Sequence, residues 1–268
     1  MPDITFVLMS CGELAEDRCL EAIKPFRDQI EFREVRNVCP QIEALNQMIS
    51  VVETEYFIPL DADIVLHFDA WDRIGNAYRK HFRNPAWHSI LFPLWDTLTE
   101  RRILALKLMR TKIMKEHLFS NSCTPDVEHY KRLTEAGFTC IHDYLRQKPI
   151  GDHVVAGLHF CYHKYRDVYQ TYRSHNFEWD SGAFIGGTDL RERAKAHFDF
   201  FMTKWLKTEN DDYLACIAGM TDGIISPIEN ISKNLGKEPT IKLEQALDEF
   251  YRWYSRSDRM YYPEGVLY

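Results

Sequence analysis

The sequence predicts an α/β protein in which a mainly parallel sheet is flanked by helices and followed by a helical C-terminal extension. Three observations carry that expectation. In the first sixty residues, apolar segments of strand length alternate with helices of roughly 10 to 15 residues, the pattern of right-handed βαβ units. Between Phe68 and His159 the signals mix short strands and helices. From Lys164 onward the apolar spacing is helical.

Each element has a local reason. Ile4–Cys11 is an apolar run that stops at Gly12, and Ala15–Phe26 places Leu20, Ile23 and Phe26 on one helical side. Ile30–Val35 alternates like a half-buried strand. Pro40 opens a helix, since proline suits a first turn, and Ile42, Leu45, Ile49 and Val52 form its stripe. Tyr56–Leu60 is a compact strand that runs into Asp61-Ala62-Asp63. Further on, Phe68–Phe82 reads as a helix and Trp87–Leu94 as a strand, while Ile103–Met109 fits either by periodicity. Asp126–Ala136 is a helix closed by Gly137, and Thr139–Tyr144 and His153–His159 are short strands. Tyr165–His175, Leu190–Leu206, Asp211–Met220 and Ile241–Tyr254 complete the helical part.

Composition excludes several classes. With 45 % hydrophobic and 27 % charged residues the chain is that of an ordinary globular protein. No apolar run reaches the length of about 18 residues that a membrane-spanning helix needs. A net charge of -7 argues against a general nucleic-acid binder, which is normally basic. The seven cysteines (Cys11, Cys19, Cys39, Cys123, Cys140, Cys161, Cys216) are odd in number and lack a CxxC pair, so buried thiols in a reducing cytoplasm fit better than disulfides or zinc. MPDITFVLMSCGE has no basic n-region, which argues against a secretory signal.

Asp61-Ala62-Asp63 is the leading motif. Chance alone supplies about one or two such triplets in a chain with this much aspartate, so the triplet is weak by itself. Its position at the end of the third strand raises it, because open α/β sheets bind ligands beyond the carboxyl ends of their strands. Hard carboxylate oxygens there suit a divalent cation whose other ligands come from phosphates.

The stretch IEALNQMISVVETEYFIPLDADIVL resembles the helix–strand–DxD segment of family-2 glycosyltransferases with the GT-A fold, with Ala44-Leu45-Asn46 and Tyr56–Asp63 in the matching places. ITFVLMSCGE resembles the first strand of that family, whose exit loop cradles the nucleotide. SCTPDVEHYKRLTEAGF resembles its second acidic motif, with Pro125 replacing the usual preceding acid, and DHVVAGLHF resembles the segment that ends in a metal-contacting histidine. The resemblance covers roughly residues 4–160. It implies a GT-A-like, Rossmann-type catalytic domain over residues 1–160, and a mainly helical extension over 161–268 that packs on it and shapes the acceptor site.

The resemblance also implies roles. Asp61 and Asp63 hold Mn²⁺ or Mg²⁺ together with His159, with His153 as the second choice of histidine. Cys11, Glu13, Asp61 and Ala62 contact the nucleotide, and Asp126 is the catalytic base. Asn37 stands where the family has a base-binding aspartate, and Gln41 is a second base contact. The implied activity moves a sugar from a nucleoside diphosphate donor, preferably a UDP-sugar, to a glycan or other hydroxyl acceptor, with inversion. No nucleic-acid partner is expected, and peripheral membrane contact stays open. Two alternatives remain: a nucleotidyltransferase on a similar sheet, and a non-catalytic sugar-nucleotide or glycan-binding protein.

Several features also have plainer readings. Asp126 near a helix start fits capping and the macrodipole. The basic residues of Arg101–Lys115 fit a solvated helix face, or else contacts to a phosphorylated or lipid-linked acceptor. Tyr165, Tyr169 and Tyr172 fit core packing. Glu178-Trp179-Asp180 and the glycine-bearing loop Ser181–Thr188 are candidates for facing the acceptor.

Overall fold

The computed structural model describes residues 3–121, 125–142, 147–174, 190–226 and 243–255. The candidates Glu178-Trp179-Asp180 and Ser181–Thr188 lie outside them. One compact unit takes the described residues up to Phe160 and a second takes those from Cys161 on.

The first unit is built on β1 (Ile4–Ser10), which is buried almost throughout, as a central strand covered on both faces must be. It pairs in parallel with β2 (Glu31–Arg36) on one side and β3 (Tyr56–Asp61) on the other. The crossovers are α1 (Glu16–Ile23), extended by a 3-10 turn, and α2 (Gln41–Ser50). Side-chain alternation then sorts the core. Phe6 and Leu8 enter one cluster with Ile58, Leu60, Trp71 and Phe92, whereas Val7 enters another with Val35, Met48, Phe57 and Met109.

Beyond β3 the chain forms β4 (Ile64–Leu66), α3 (Ala70–His81), β5 (Trp87–Asp96), β6 (Arg101–Arg110), α4 (Thr111–Glu116), α5 (Pro125–Glu135), β7 (Thr139–Ile141) and β8 (Gly151–His153). The sheet order is β2-β1-β3-β6-β5-β8-β4, with β7 also paired to β5. The sheet is mixed: β6 is antiparallel to both β3 and β5, and β4 to β8, while the remaining pairings are parallel. The fold is therefore α/β with helices flanking a mixed sheet.

Two local expectations change. Arg101–Lys115 is a strand followed by a short helix, not one solvated helix face. Arg110 is used internally: its guanidinium lies 4.3 Å from the Trp87 ring centroid and donates to the Asn84 carbonyl. The strand expected over residues 153–159 ends at His153. There the Val154 N–H turns to donate to the Asp63 carbonyl at 2.7 Å, and Gly157 at φ +92° leads into α6 (Leu158–Ser174).

The second unit is helical, with most of α6, α7 (Leu190–Thr208), α8 (Asp212–Ile225) and α9 (Leu243–Ser255). Tyr165, Tyr169 and Tyr172 are buried in it, as their helical spacing predicts. α8 lies directly on the α6 backbone, because a side chain at Gly219 or Gly223 would collide with the carbonyls of Tyr162 or Arg166. No described helix is long and apolar enough to cross a membrane. Among the thiols, Cys19, Cys161 and Cys216 are buried, but Cys11 and Cys39 are exposed, so burial does not hold for all of them.

Candidate functional site

In the parallel pairings Met9 stands opposite Asp61, and Ser10 opposite Arg36. The exits of β1, β2 and β3 therefore open on one edge of the sheet, where α/β proteins bind ligands. The acidic triplet turns at that edge. Ala62 is fully buried and its N–H donates to the Met9 carbonyl at 3.0 Å, so it packs while Asp61 is exposed and Asp63 is partly so. Ala62 thus spends its N–H on the sheet.

β8 delivers the histidine. It lies between β5 and β4, which puts His153 opposite Asp96 in one register and opposite Ile64 in the other. His153 Nε2 lies 3.1 Å from Asp63 Oδ2, and Nδ1 lies 2.9 Å from Asp96 Oδ2. The His153 carbonyl accepts the Thr97 N–H at 3.0 Å, so backbone and ring are both held. The ring beside Asp63 is that of His153, the second choice. His159 sits in the first turn of α6, with its ring 5.6 Å from that of Phe160, because the strand that was expected to carry it stops six residues earlier.

The electrostatics mark this edge as strained for anions. The Asp61 carboxyl is raised above the usual range, by the surrounding protein first and by the Asp63 charge second, while His153 and Lys107 oppose the rise. Like charges held together resist ionisation together, and a cation relieves them. The donor set fits Mg²⁺ or Mn²⁺: two carboxylates supply hard oxygens and His153 supplies an imidazole. Among the described residues, no three acidic, histidine or cysteine side chains already surround a common point; the imidazole instead rests on Asp63.

The loop after β1 is organised by its own acids. Glu13 Oε2 accepts the Cys11 N–H at 2.8 Å and the Ser10 hydroxyl at 3.1 Å, and Glu16 accepts from Ser10 as well and pairs with Arg36 at 2.7 Å. The Cys11 thiol is pushed up, by burial first and then by Glu13, which keeps it protonated at neutral pH. Asn37 has φ +55° and its N–H donates to the Ser10 carbonyl at 2.9 Å. Asparagine, like aspartate, tolerates this left-handed conformation. Gln41 opens α2, and its buried Oε1 accepts no hydrogen bond among the described residues.

Asp126 is the second residue of α5, half exposed, and 2.8 Å from Lys107 Nζ. The ammonium also lies 5.1 Å from the Tyr130 ring centroid. Burial works against the Lys107 charge, but Asp126 and Tyr130 outweigh it and hold the ammonium protonated. Behind this pair, His88 and His129 are fully buried and pushed down to about 4 by desolvation, so both rings are neutral at physiological pH. Asn46, from the resemblance, is structural: it donates to the Phe119 carbonyl and accepts the Phe119 N–H, tying α2 to the segment before α5.

Lys107 and Asp96 were not singled out as site residues from the sequence. A lone lysine between Leu106 and Leu108 in an apolar strand, and an aspartate ending an apolar run before Thr97-Leu98-Thr99, are the signals that could have found them.

No family model matches the chain, and no curated protein matches it. Solved structures do. A mannosyltransferase PcManGT from Pyrobaculum calidifontis, in complex with GDP-Man and Mn²⁺, is 13 % identical, with a TM-score of 0.46 over 83 % of this chain and 75 % of that one. S. aureus TarS 1–349 in complex with UDP-GlcNAc is 11 % identical, with a TM-score of 0.42 over 94 % of this chain and 89 % of that one. The bifunctional IspDF from Campylobacter jejuni is 10 % identical, with a TM-score of 0.36 over 52 % of this chain and 48 % of that one. At such identities and scores, a shared course of the chain carries no residue, ligand or reaction from one protein to another.

Proposed function

We propose that this chain transfers a sugar from a nucleoside diphosphate donor to a hydroxyl acceptor, in a divalent-metal-dependent reaction that inverts the anomeric carbon. The observation that carries this reading is the row of His153, Asp63 and Asp61 at the carboxyl ends of β8 and β3, where two carboxylates crowd at a ligand-binding edge.

Asp61, Asp63 and His153 would hold Mn²⁺ or Mg²⁺. Bound there, the ion supplies neutralisation of the charge that gathers on the leaving diphosphate. Gln41 and Asn37 take the nucleobase. A buried acceptor left without a donor costs about 1–3 kcal/mol, so the Gln41 Oε1 favours a ligand that brings an N–H, as uracil does. Cys11 and Glu13 contribute a preorganised loop wall, since the Cys11 N–H is already bound to Glu13. Asp126 accepts the proton of the acceptor hydroxyl as the new bond forms, and Lys107 pairs with that carboxylate at 2.8 Å. Inversion needs one such base and no enzyme nucleophile. Acceptor recognition is assigned to residues 161–268.

The test is binding of UDP, GDP, CDP and TDP with Mn²⁺ or with EDTA, followed by product analysis. Uridine-selective binding that is lost in EDTA, with UDP released from a nucleotide sugar, is the expected result. UDP affinity that survives EDTA unchanged overturns the metal reading. Pyrophosphate release from a nucleoside triphosphate reassigns the chain as a nucleotidyltransferase, and binding without turnover makes it a binding protein.

A further inference from the structure

The buried carboxylate of Asp96 has a geometry more specific than an ion pair requires. Its two oxygens are divided between tasks. Oδ1 accepts the backbone N–H groups of Leu98 at 3.0 Å and Thr99 at 2.8 Å, which shapes the turn after β5. Oδ2 faces His153 Nδ1 at 2.9 Å. Asp96 is only 2 % exposed, so water does not compete for either oxygen.

We infer that Asp96 is the positioning residue that makes His153 a metal ligand through Nε2; this rests on the metal-dependent reading above. A carboxylate oxygen can only accept, so the proton shared with Asp96 stays on Nδ1. With Nδ1 so occupied, Nε2 is the nitrogen left to meet a cation, in place of the proton it shares with Asp63 Oδ2 at 3.1 Å. The Thr97 N–H and hydroxyl both bond the His153 carbonyl, so the backbone that carries the ring is held at that edge. Carboxylates behind ligating histidines fix ring orientation and raise ligand basicity, and their loss usually costs about 10–100-fold in metal affinity.

The division of labour makes one substitution diagnostic. In Asp96→Asn, the amide oxygen can keep both backbone bonds of the turn while the amide nitrogen replaces Oδ2. That NH₂ group donates to Nδ1 and drives the ring proton onto Nε2, which removes the metal-directed lone pair without removing the turn.

Mn²⁺ binding without donor is measured by calorimetry for wild type, Asp96→Asn, His153→Ala and the double variant. Asp96→Asn is expected to weaken Mn²⁺ by about 10–100-fold while keeping the metal-free melting temperature within about 4 °C. Combined with His153→Ala it is expected to add nothing further, since Asp96 acts through that ring. Losses that add, or an Asp96→Asn affinity equal to wild type, overturn the inference and leave the metal reading standing. A wild-type protein that binds no Mn²⁺ overturns both. Should Asp96→Asn fail to fold, nitrogen NMR of the wild-type His153 ring decides, with Zn²⁺ as a diamagnetic stand-in: metal on Nε2 with the proton on Nδ1 supports the inference, and the reverse overturns it.

Discussion

In the helical unit, Asp222 is fully enclosed: Arg166 Nε stands 2.8 Å from Oδ2, the Tyr162 hydroxyl donates to the same oxygen at 2.5 Å, and Ser226 donates to Oδ1. In the sheet unit, Asp63 faces a histidine ring, keeps about a fifth of its side chain in solvent, and helps to raise its neighbour Asp61. Both regions gather carboxylates and cationic partners. One neutralises its charge with protein groups and shuts water out; the other crowds like charges at an accessible edge. A buried charge by itself therefore marks no site. What marks one is an excess of negative charge that a ligand can relieve.

That contrast can be broken by experiment, and the largest effect is expected at the open end. Asp63→Ala is expected to lower transfer by more than about 1,000-fold, roughly 4 kcal/mol of transition-state stabilisation, while the circular dichroism spectrum is preserved. Loss of folded structure instead of activity would make Asp63 as structural as Asp222. The sealed end behaves in the opposite way. Asp222→Ala strands the Arg166 charge in the interior and is expected to cost about 3–5 kcal/mol in urea unfolding, with the affinity for donor unchanged in the fraction that folds. A fall in donor affinity would show that the helical unit does more than pack.

Asp126 belongs to neither extreme, because it is half exposed yet ion-paired. As the base it is expected to lose about 100-fold in kcat on Asp126→Asn, with nucleotide affinity within about twofold by calorimetry. An unchanged kcat reduces it to a helix-start partner for Lys107. A smaller effect comes from the wall behind it. His88 and His129 are held near 4 by burial, below the unfolded value of about 6.5, so they stay neutral in the fold while the unfolded chain takes up protons. Their contribution is complete above pH 6.5 and is lost as the pH falls toward 4, on the order of 2 kcal/mol per ring at pH 5. Urea midpoints at pH 7.5, 6 and 5 check this, and replacing both rings by Phe is expected to flatten the decline.

Much of the acidic sheet edge was legible locally. β1 and β3 have the apolar content of covered parallel strands and β2 the alternation of a half-buried one, so the exit of the third strand, and Asp61 and Asp63 with it, could be placed before any contact was known. Asp126 at a helix start was legible in the same way. Its partner Lys107 was not, because the stretch around it fits helix and strand alike, and the choice was made by antiparallel pairing with β3 and β5. His153 was ranked behind His159 for a similar reason: β8 has three residues, too few to show a period.

The sequence by itself determined the α/β alternation, the helical character of the later chain and the acidic edge after β3, because each depends on residues within one or two turns or strands of each other. Only the tertiary structure decided which histidine meets that edge, that Asp96 stands behind it, and that a lysine pairs with Asp126. His153 and Asp96 are 57 positions apart, and Lys107 and Asp126 are 19 apart. Such pairs are set by sheet order and register, and register is a property of two strands together, which neither strand's own pattern contains.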